Sequence, residues 1–240
     1  DFSDSKGLES VEKNTFKNCT NLVGISLGKY IKTIEDGAFA DCTNLQSVTS
    51  GNRLKEVGKQ AFFNCKDLTN VALGKSLETI ESQAFKNCYN LTNITWGNKL
   101  KIVGTQAFGN CYNLTNIALG DSLEIINRLA FLNCKSLTSV TWGNKLMIIG
   151  HNAFENCYSL INITLGNALQ TIQSQAFKNC YNLNFIASNK NNVYSVSDDN
   201  KILFNKSKTK LIAYPSANEN ITIPNHVTTI EKYAFSNCSG

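Results

Sequence analysis

Phe85-Lys86-Asn87-Cys88-Tyr89-Asn90-Leu91-Thr92-Asn93-Ile94-Thr95-Trp96-Gly97-Asn98-Lys99-Leu100-Lys101-Ile102-Val103-Gly104-Thr105-Gln106-Ala107 is one unit of this chain, and Phe108 begins the next. Phe stands at 16, 39, 62, 85, 108, 131, 154 and 177, a period of 23 residues, and Cys follows three residues after each. Leu at 91, 114, 137 and 160 and Ile or Val at 94, 117, 140 and 163 keep the same spacing. A fixed period of this length marks a stack of like units rather than one folded core.

The strictness has a physical cause. One unit offers about six side chains to bury, worth roughly 2 kcal/mol each. Ordering its 23 residues costs on the order of 1–2 kcal/mol per residue in backbone entropy alone. A single unit therefore cannot stand, whereas stacked units run each apolar column continuously through the interior. Within a unit Leu91 to Trp96 reads as the strand. Ile94 and Trp96 share its inner face, and Asn93 and Thr95 share the outer one. Gly97-Asn98 turns the chain, Leu100 to Val103 returns it, and Ala107-Phe108 is expected to enter a short turn of helix. The Asn before Cys (18, 64, 87, 110, 133, 156, 179 and 237, with Asp41 once) is suited to close that turn with its side chain.

A second rhythm spans 46 residues: Thr95-Trp96-Gly97-Asn98-Lys99-Leu100 returns as Thr141-Trp142-Gly143-Asn144-Lys145-Leu146, pointing to duplication of a two-unit block. The period breaks over 188–216, where Val193 to Val196, Lys201 to Phe204 and Leu211 to Pro215 alternate with short polar turns, as in a β-hairpin or small meander. The expected organisation is tandem repeats over 1–187, the interruption over 188–216, and a further truncated repeat over 217–240. The chain is expected to be cut from a longer protein, because it opens and closes inside a unit.

Composition narrows the function. The formal net charge is +5 with 17% charged residues, spread along the chain without a basic run. That gives no expectation of nucleic-acid binding. No apolar run approaches the roughly 18 residues of a membrane span. The acidic Asp1-Phe2-Ser3-Asp4-Ser5 start does not read as a signal peptide.

The unit Ala-Phe-x-Asn-Cys-x-x-Leu-x-x-Ile resembles the BspA-like (Treponema-type) leucine-rich repeats. Lys201 to Pro215, followed by Ile223-Pro224 and Val227-Thr228-Thr229-Ile230, is similar to that family's interruption. The resemblance implies a leucine-rich-repeat solenoid, a mainly β right-handed superhelix of about ten repeats. It would carry a parallel sheet on the concave face and one β-hairpin insertion. It also implies a cell-surface or secreted protein of adhesin type, with no cofactor and no shared catalytic residues. One departure is visible: only Pro224 keeps the Pro that often follows the strand, the other units having Gly. The alternative is an intracellular protein-interaction scaffold, which free thiols would suit.

Nine cysteines, one per unit in a single column, sit where Cβ atoms cannot reach the roughly 3.8 Å a disulfide needs. They are expected as buried thiols packing as small hydrophobes. His151 and His226 lie in different units with no triad, paired carboxylates or phosphate loop around them, so no catalysis is expected. Trp96 and Trp142 occupy a column otherwise filled by Leu27, Leu73, Leu119 and Leu165, which reads as interior. The candidate ligand surface is the concave sheet with Asn70, Asn93, Thr95, Asn116, Thr141, Asn162 and Thr164, for a protein or glycan partner. Tyr89, Tyr112, Tyr158 and Tyr181 form a further column, open to two readings: a lateral binding stripe or a stacked ladder. Eight Asn-x-Ser/Thr sequons, among them Asn93-Ile94-Thr95 and Asn162-Ile163-Thr164, would obstruct the sheet if glycosylated.

Overall fold

The computed structural model describes residues 2, 5, 7–215 and 221–236; Asn237 and Cys238 lie outside them. Each 23-residue unit makes one turn of a β-solenoid. Its strand buries the central side chain and exposes the two beside it, as at Asn93–Thr95. These outer strands stack in parallel and in register, Val48 on Val71 on Ile94. They form two four-stranded sheets, Gly24–Ser26 through Asn93–Thr95 and Asn116–Ala118 through Asn184–Ala187. On the return side, two-residue strands from Ser10–Val11 through Thr171–Ile172 make an eight-stranded parallel sheet. With Thr229–Ile230 added, the chain completes about nine turns.

Between the sheets runs the Phe column, its successive rings from Phe16 to Phe177 stacked with centroids 5.0–5.7 Å apart and nearly parallel. That spacing is the strand separation of a sheet, so one period in sequence becomes one rung in space. Trp96 and Trp142 are half-buried against the core, tilted over Phe108 and Phe154 at 6.2 and 6.3 Å. Leu73, Leu119 and Leu165 of the same column are buried.

The turn carrying Ala107-Phe108 is not helical. Ala107, Gly109 and Cys111 donate their N–H three residues back, to Gly104, Gln106 and Phe108. Gln106, Phe108 and Asn110 instead donate to Arg128, Ala130 and Leu132 of the next rung. A helix would close all of these bonds within itself. The alternation is produced by left-handed residues at two places in the turn, Gln106 (φ 54°) and Asn110 (φ 64°) in this unit. Asn is the non-glycine residue that adopts this conformation most readily. Its side chain does not close the turn as the sequence suggested. Asn64 Nδ2 donates to Asp41 Oδ1 at 2.8 Å, and Asn87, Asn110, Asn133, Asn156 and Asn179 each donate to the previous one at 2.6–2.7 Å. The result is a continuous amide ladder along the stack.

The cysteines make a second such column. Eight are free, Cys42 to Cys180 buried and Cys19 half-buried. They are more than small hydrophobes: each buried Sγ donates to the carbonyl of the Phe one rung earlier, as Cys111 to Phe85 at 3.2 Å. That carbonyl also accepts the N–H of Cys88, so both its lone pairs are used. Burial pushes the Cys65, Cys88, Cys111, Cys134 and Cys157 thiols far above their ordinary value and Cys42 to about 11.

The strict register ends at the last outer strand. Asn162 pairs with Asn184 and Ile163 with Phe185, an offset of 22. Phe185 thereby turns inward, fully buried and edge-on to Phe177 at 5.4 Å, while Ile186 is 45% exposed. Burying the larger aromatic outweighs keeping the period. Tyr194–Val196, Leu203–Asn205 and Lys210–Ala213 then form an antiparallel meander, and Lys210–Ala213 pairs in parallel with Thr229–Ile230. Two side chains fasten the meander to the stack. Tyr194 Oη accepts the N–H of Ile172 (2.8 Å) and donates to the Gln170 carbonyl (3.1 Å). Asn191, fully buried, donates to the carbonyls of Gly166 and Leu169 and accepts the N–H groups of Val193 and Tyr194.

Candidate binding surface

The outward face of the outer strands is built by pleating alone: with Val71, Ile94, Ile117 and Ile163 locked in the core, Asn70, Asn93, Asn116 and Asn162 must point out. Thr95, Thr141 and Thr164 are exposed beside them. The eight strands from Gly24–Ser26 to Asn184–Ala187 contain no charged residue. Some of this polar layer is already engaged. Asn70 Nδ2 donates to Thr69 Oγ1 at 3.0 Å, Asn116 Nδ2 donates to Thr115 Oγ1 at 3.2 Å, and Thr138 Oγ1 lies 3.2 Å from Asn116 Oδ1. Thr69, Thr92 and Thr138 donate to carbonyls one rung earlier. Asn93 and Asn162 make no side-chain hydrogen bond to the described residues. The face thus offers free amides at Asn93 and Asn162, three rungs apart, with the exposed hydroxyls of Thr95, Thr141 and Thr164 beside them.

The four tyrosines do not make one stripe. Tyr89 stacks on Tyr112 at 5.2 Å and Tyr158 on Tyr181 at 5.7 Å. Lys135 stands between the pairs, its Nζ 5.0 Å from the centre of the Tyr112 ring. Tyr158 is the most open of the four at 36% exposure. The column is therefore a broken ladder on the edge that leads into the strands, separate from their outward face.

Sequence reasoning missed the apolar end of the strand face. Ile161 (48% exposed) replaces the Thr found at 69, 92, 115 and 138, and Ile186 is set outward by the register slip beside Thr164. The substitution at 161 was legible as a break in a polar column; the slip at 186 was not, since it depends on which of two apolar residues wins the interior. A cleft of about 360 Å³ lies between the turn at 173–178 and the segments 210–215 and 231–236. Its charged lining is internally paired, Lys178 with Glu155 (2.9 Å) and Lys210 with Glu231. Among the described residues no group of three His, Cys, Asp or Glu side chains could hold a metal ion, and no helix is long and apolar enough to cross a membrane.

Parallel rungs, a Phe–Cys interior and an uncharged outer sheet define a leucine-rich-repeat solenoid. The BspA type leucine rich repeat model matches residues 2–115, 101–221 and 211–240, and the chain belongs to that family. No curated protein matches the chain. Among solved structures, a leucine rich cell surface protein from Faecalibacterium prausnitzii is similar, with 26% identity over 90% of this chain and a TM-score of 0.72. The match spans 61% of that protein's length. A leucine rich repeat protein of T. pallidum has 26% identity over 68% of this chain and 78% of its own, with a TM-score of 0.63. A Bacteroides ovatus leucine-rich repeat protein shares the fold, at 18% identity over 97% of this chain and 68% of its own and a TM-score of 0.62. Repeats of this kind make a protein-interaction module.

Proposed function

We propose that the chain is a non-catalytic binding region of a cell-surface or secreted protein of adhesin type, holding a protein or glycan partner against its outer strands. The observation that carries this reading is the charge-free strand face, a continuous array of amides and hydroxyls closing on exposed Ile161 and Ile186. Such a surface suits a broad or extended partner held by hydrogen bonds and modest apolar contact. The tyrosine pairs at the leading edge would widen the footprint. In this reading 1–187 and 217–240 are the binding scaffold and 188–216 an insertion that interrupts it. The likeness to a cell-surface protein supports the location. The eight free thiols favour a second reading, an intracellular scaffold using the same face.

The test is accessibility on intact, unpermeabilised cells that produce the protein. Labelling by antibody and loss to external protease are expected. Protection until the cells are opened overturns the adhesin reading in favour of the scaffold. On exposed protein, Asn93→Lys with Asn116→Lys should abolish capture of a matrix protein or an unsulfated glycan while leaving the melting temperature unchanged.

A further inference from the structure

Opposite in character to the strand face is the edge just beyond it, where the chain turns at Gly28, Gly51, Gly74 and Gly97. The four segments 28–34, 51–57, 74–80 and 97–103 hold seven cations against two carboxylates, Glu56 and Glu78. Their net charge of +5 equals that of the whole chain. In sequence these cations are dispersed; the solenoid brings them onto consecutive rungs, with Thr33, Glu56, Thr79 and Ile102 in register.

Two of the seven are neutralised, Lys32 by Glu9 and Lys101 by Glu78, each at 2.7 Å. Lys29, Arg53, Lys55, Lys75 and Lys99 are exposed and form no ion pair with the described residues. Four of them, Lys29, Arg53, Lys75 and Lys99, supply one cation per rung despite the two-unit alternation in sequence. The scaffold under them is rigid. Gly51 N–H donates to the Gly28 carbonyl at 3.0 Å and Lys75 N–H to Asn52 Oδ1 at 3.1 Å. A Cβ on Gly74 would lie 1.9 Å from the Gly51 carbonyl oxygen, so the turns rest directly on one another. Tyr30 lies under both Lys29 Nζ and the Arg53 guanidinium, at 5.2 and 5.3 Å. The row stops abruptly at the next rung, where Asp121 and Glu124 take the corresponding places.

Rungs about 5 Å apart put neighbouring cations well inside the roughly 8–10 Å screening length of physiological salt. The row therefore repels itself until an anion bridges it. We infer that this turn edge is a second binding strip, whose ligand is a linear sulfated glycan lying along the stack with its sulfates over Lys29, Arg53, Lys55, Lys75 and Lys99. A linear polymer fits because the cations form an exposed row along the stack. Nucleic acid fits less well: a single-strand site needs open aromatic rings for the bases, and the one ring in the strip is covered by Lys29 and Arg53. The strip adds to the strand-face reading and does not depend on it.

The test uses the whole chain with dextran sulfate, unsulfated dextran and single-stranded DNA as probes. Dextran sulfate is expected to bind, with log K falling against log salt at a slope of about −3.5, from about 0.7 per cation engaged. Lys75→Gln with Lys99→Gln should weaken it at least tenfold and flatten the slope by about 1.4. Asn93→Lys with Asn116→Lys, which defeats the strand face, should not weaken it. The inference is overturned by equal binding of sulfated and plain dextran, by retention of full affinity in the Lys75→Gln, Lys99→Gln variant, or by DNA binding as tightly as dextran sulfate.

Discussion

Replacing Asn110 tests whether the amide ladder holds the stack together or merely decorates it. Asn110 Nδ2 donates to Asn87 Oδ1, and its own Oδ1 accepts from Asn133 Nδ2, both at 2.7 Å. Its φ of 64° is left-handed. Alanine removes both side-chain bonds, at about 1 kcal/mol each, and strands their partners on either side. It also lacks the short polar side chain that eases Asn into the left-handed region, which costs alanine about 1 kcal/mol more there. Asn110→Ala should therefore destabilise the protein by about 3 kcal/mol. Asn110→Gly loses the same bonds but accepts the backbone, so it should cost about 2 kcal/mol, somewhat more once its extra unfolded-state freedom is included. Urea unfolding followed by the fluorescence of Trp96 and Trp142, on the rungs either side of the substituted turn, reads both values. If glycine matches the native protein while alanine falls, the ladder bonds contribute nothing and only the left-handed turn matters. Both variants within about 0.5 kcal/mol of the native protein would refute the energetic account altogether.

Tyr194→Phe removes the hydroxyl that caps Ile172 N–H and the Gln170 carbonyl, and should cost about 1–2 kcal/mol. Hydrogen exchange at the Ile172 amide should accelerate, and an unchanged rate would argue against the cap. The thiol column predicts alkaline weakness. Unfolded cysteines ionise near the ordinary value of 9.0, whereas burial holds Cys65, Cys88, Cys111, Cys134 and Cys157 protonated in the folded chain. Stability is complete below pH 9 and is lost as pH rises above it, by up to about 1.4 kcal/mol per pH unit for each thiol. Ionisation of these five thiols should appear together with unfolding; their ionisation in the folded protein would contradict the burial. Leu129, with φ of 57° where the other units carry Asn, Gly, Gln or, once, Tyr233, is strained. Leu129→Asn should raise the melting temperature by about 2–4 °C, and a lower value would mean that the Leu side chain contributes more than the strain costs.

Interior columns were legible because each must repeat at the rung period to stay inside: Phe85, Cys88, Leu91 and Ile94 are buried as their spacing required. The outward placement of Asn93 and Thr95 followed from the same alternation. The turn at Ala107-Phe108 was misread as helical because its distinguishing feature is a direction of N–H bonds, and composition does not carry that. Asn110 was recognised as a turn residue, yet its side chain serves the neighbouring rungs, a relation visible only when residues 23 apart are placed side by side. The same holds for the basic edge. Lys29, Arg53, Lys75 and Lys99 are separated by 24, 22 and 24 residues, an alternation that escapes a search for a strict period.

Stacking also sets how the molecule carries load. The bonds that join rungs lie along the stack, while the chain runs across it. A pull applied at the two ends therefore strains one rung at a time rather than shearing many bonds together. Rungs should peel in sequence at low force, each releasing 23 residues, about 75–80 Å of extended chain, in exchange for one layer some 5 Å thick. A region built this way lengthens roughly fifteenfold before its backbone is taut, and dissipates at each step tension that would otherwise reach whatever it holds.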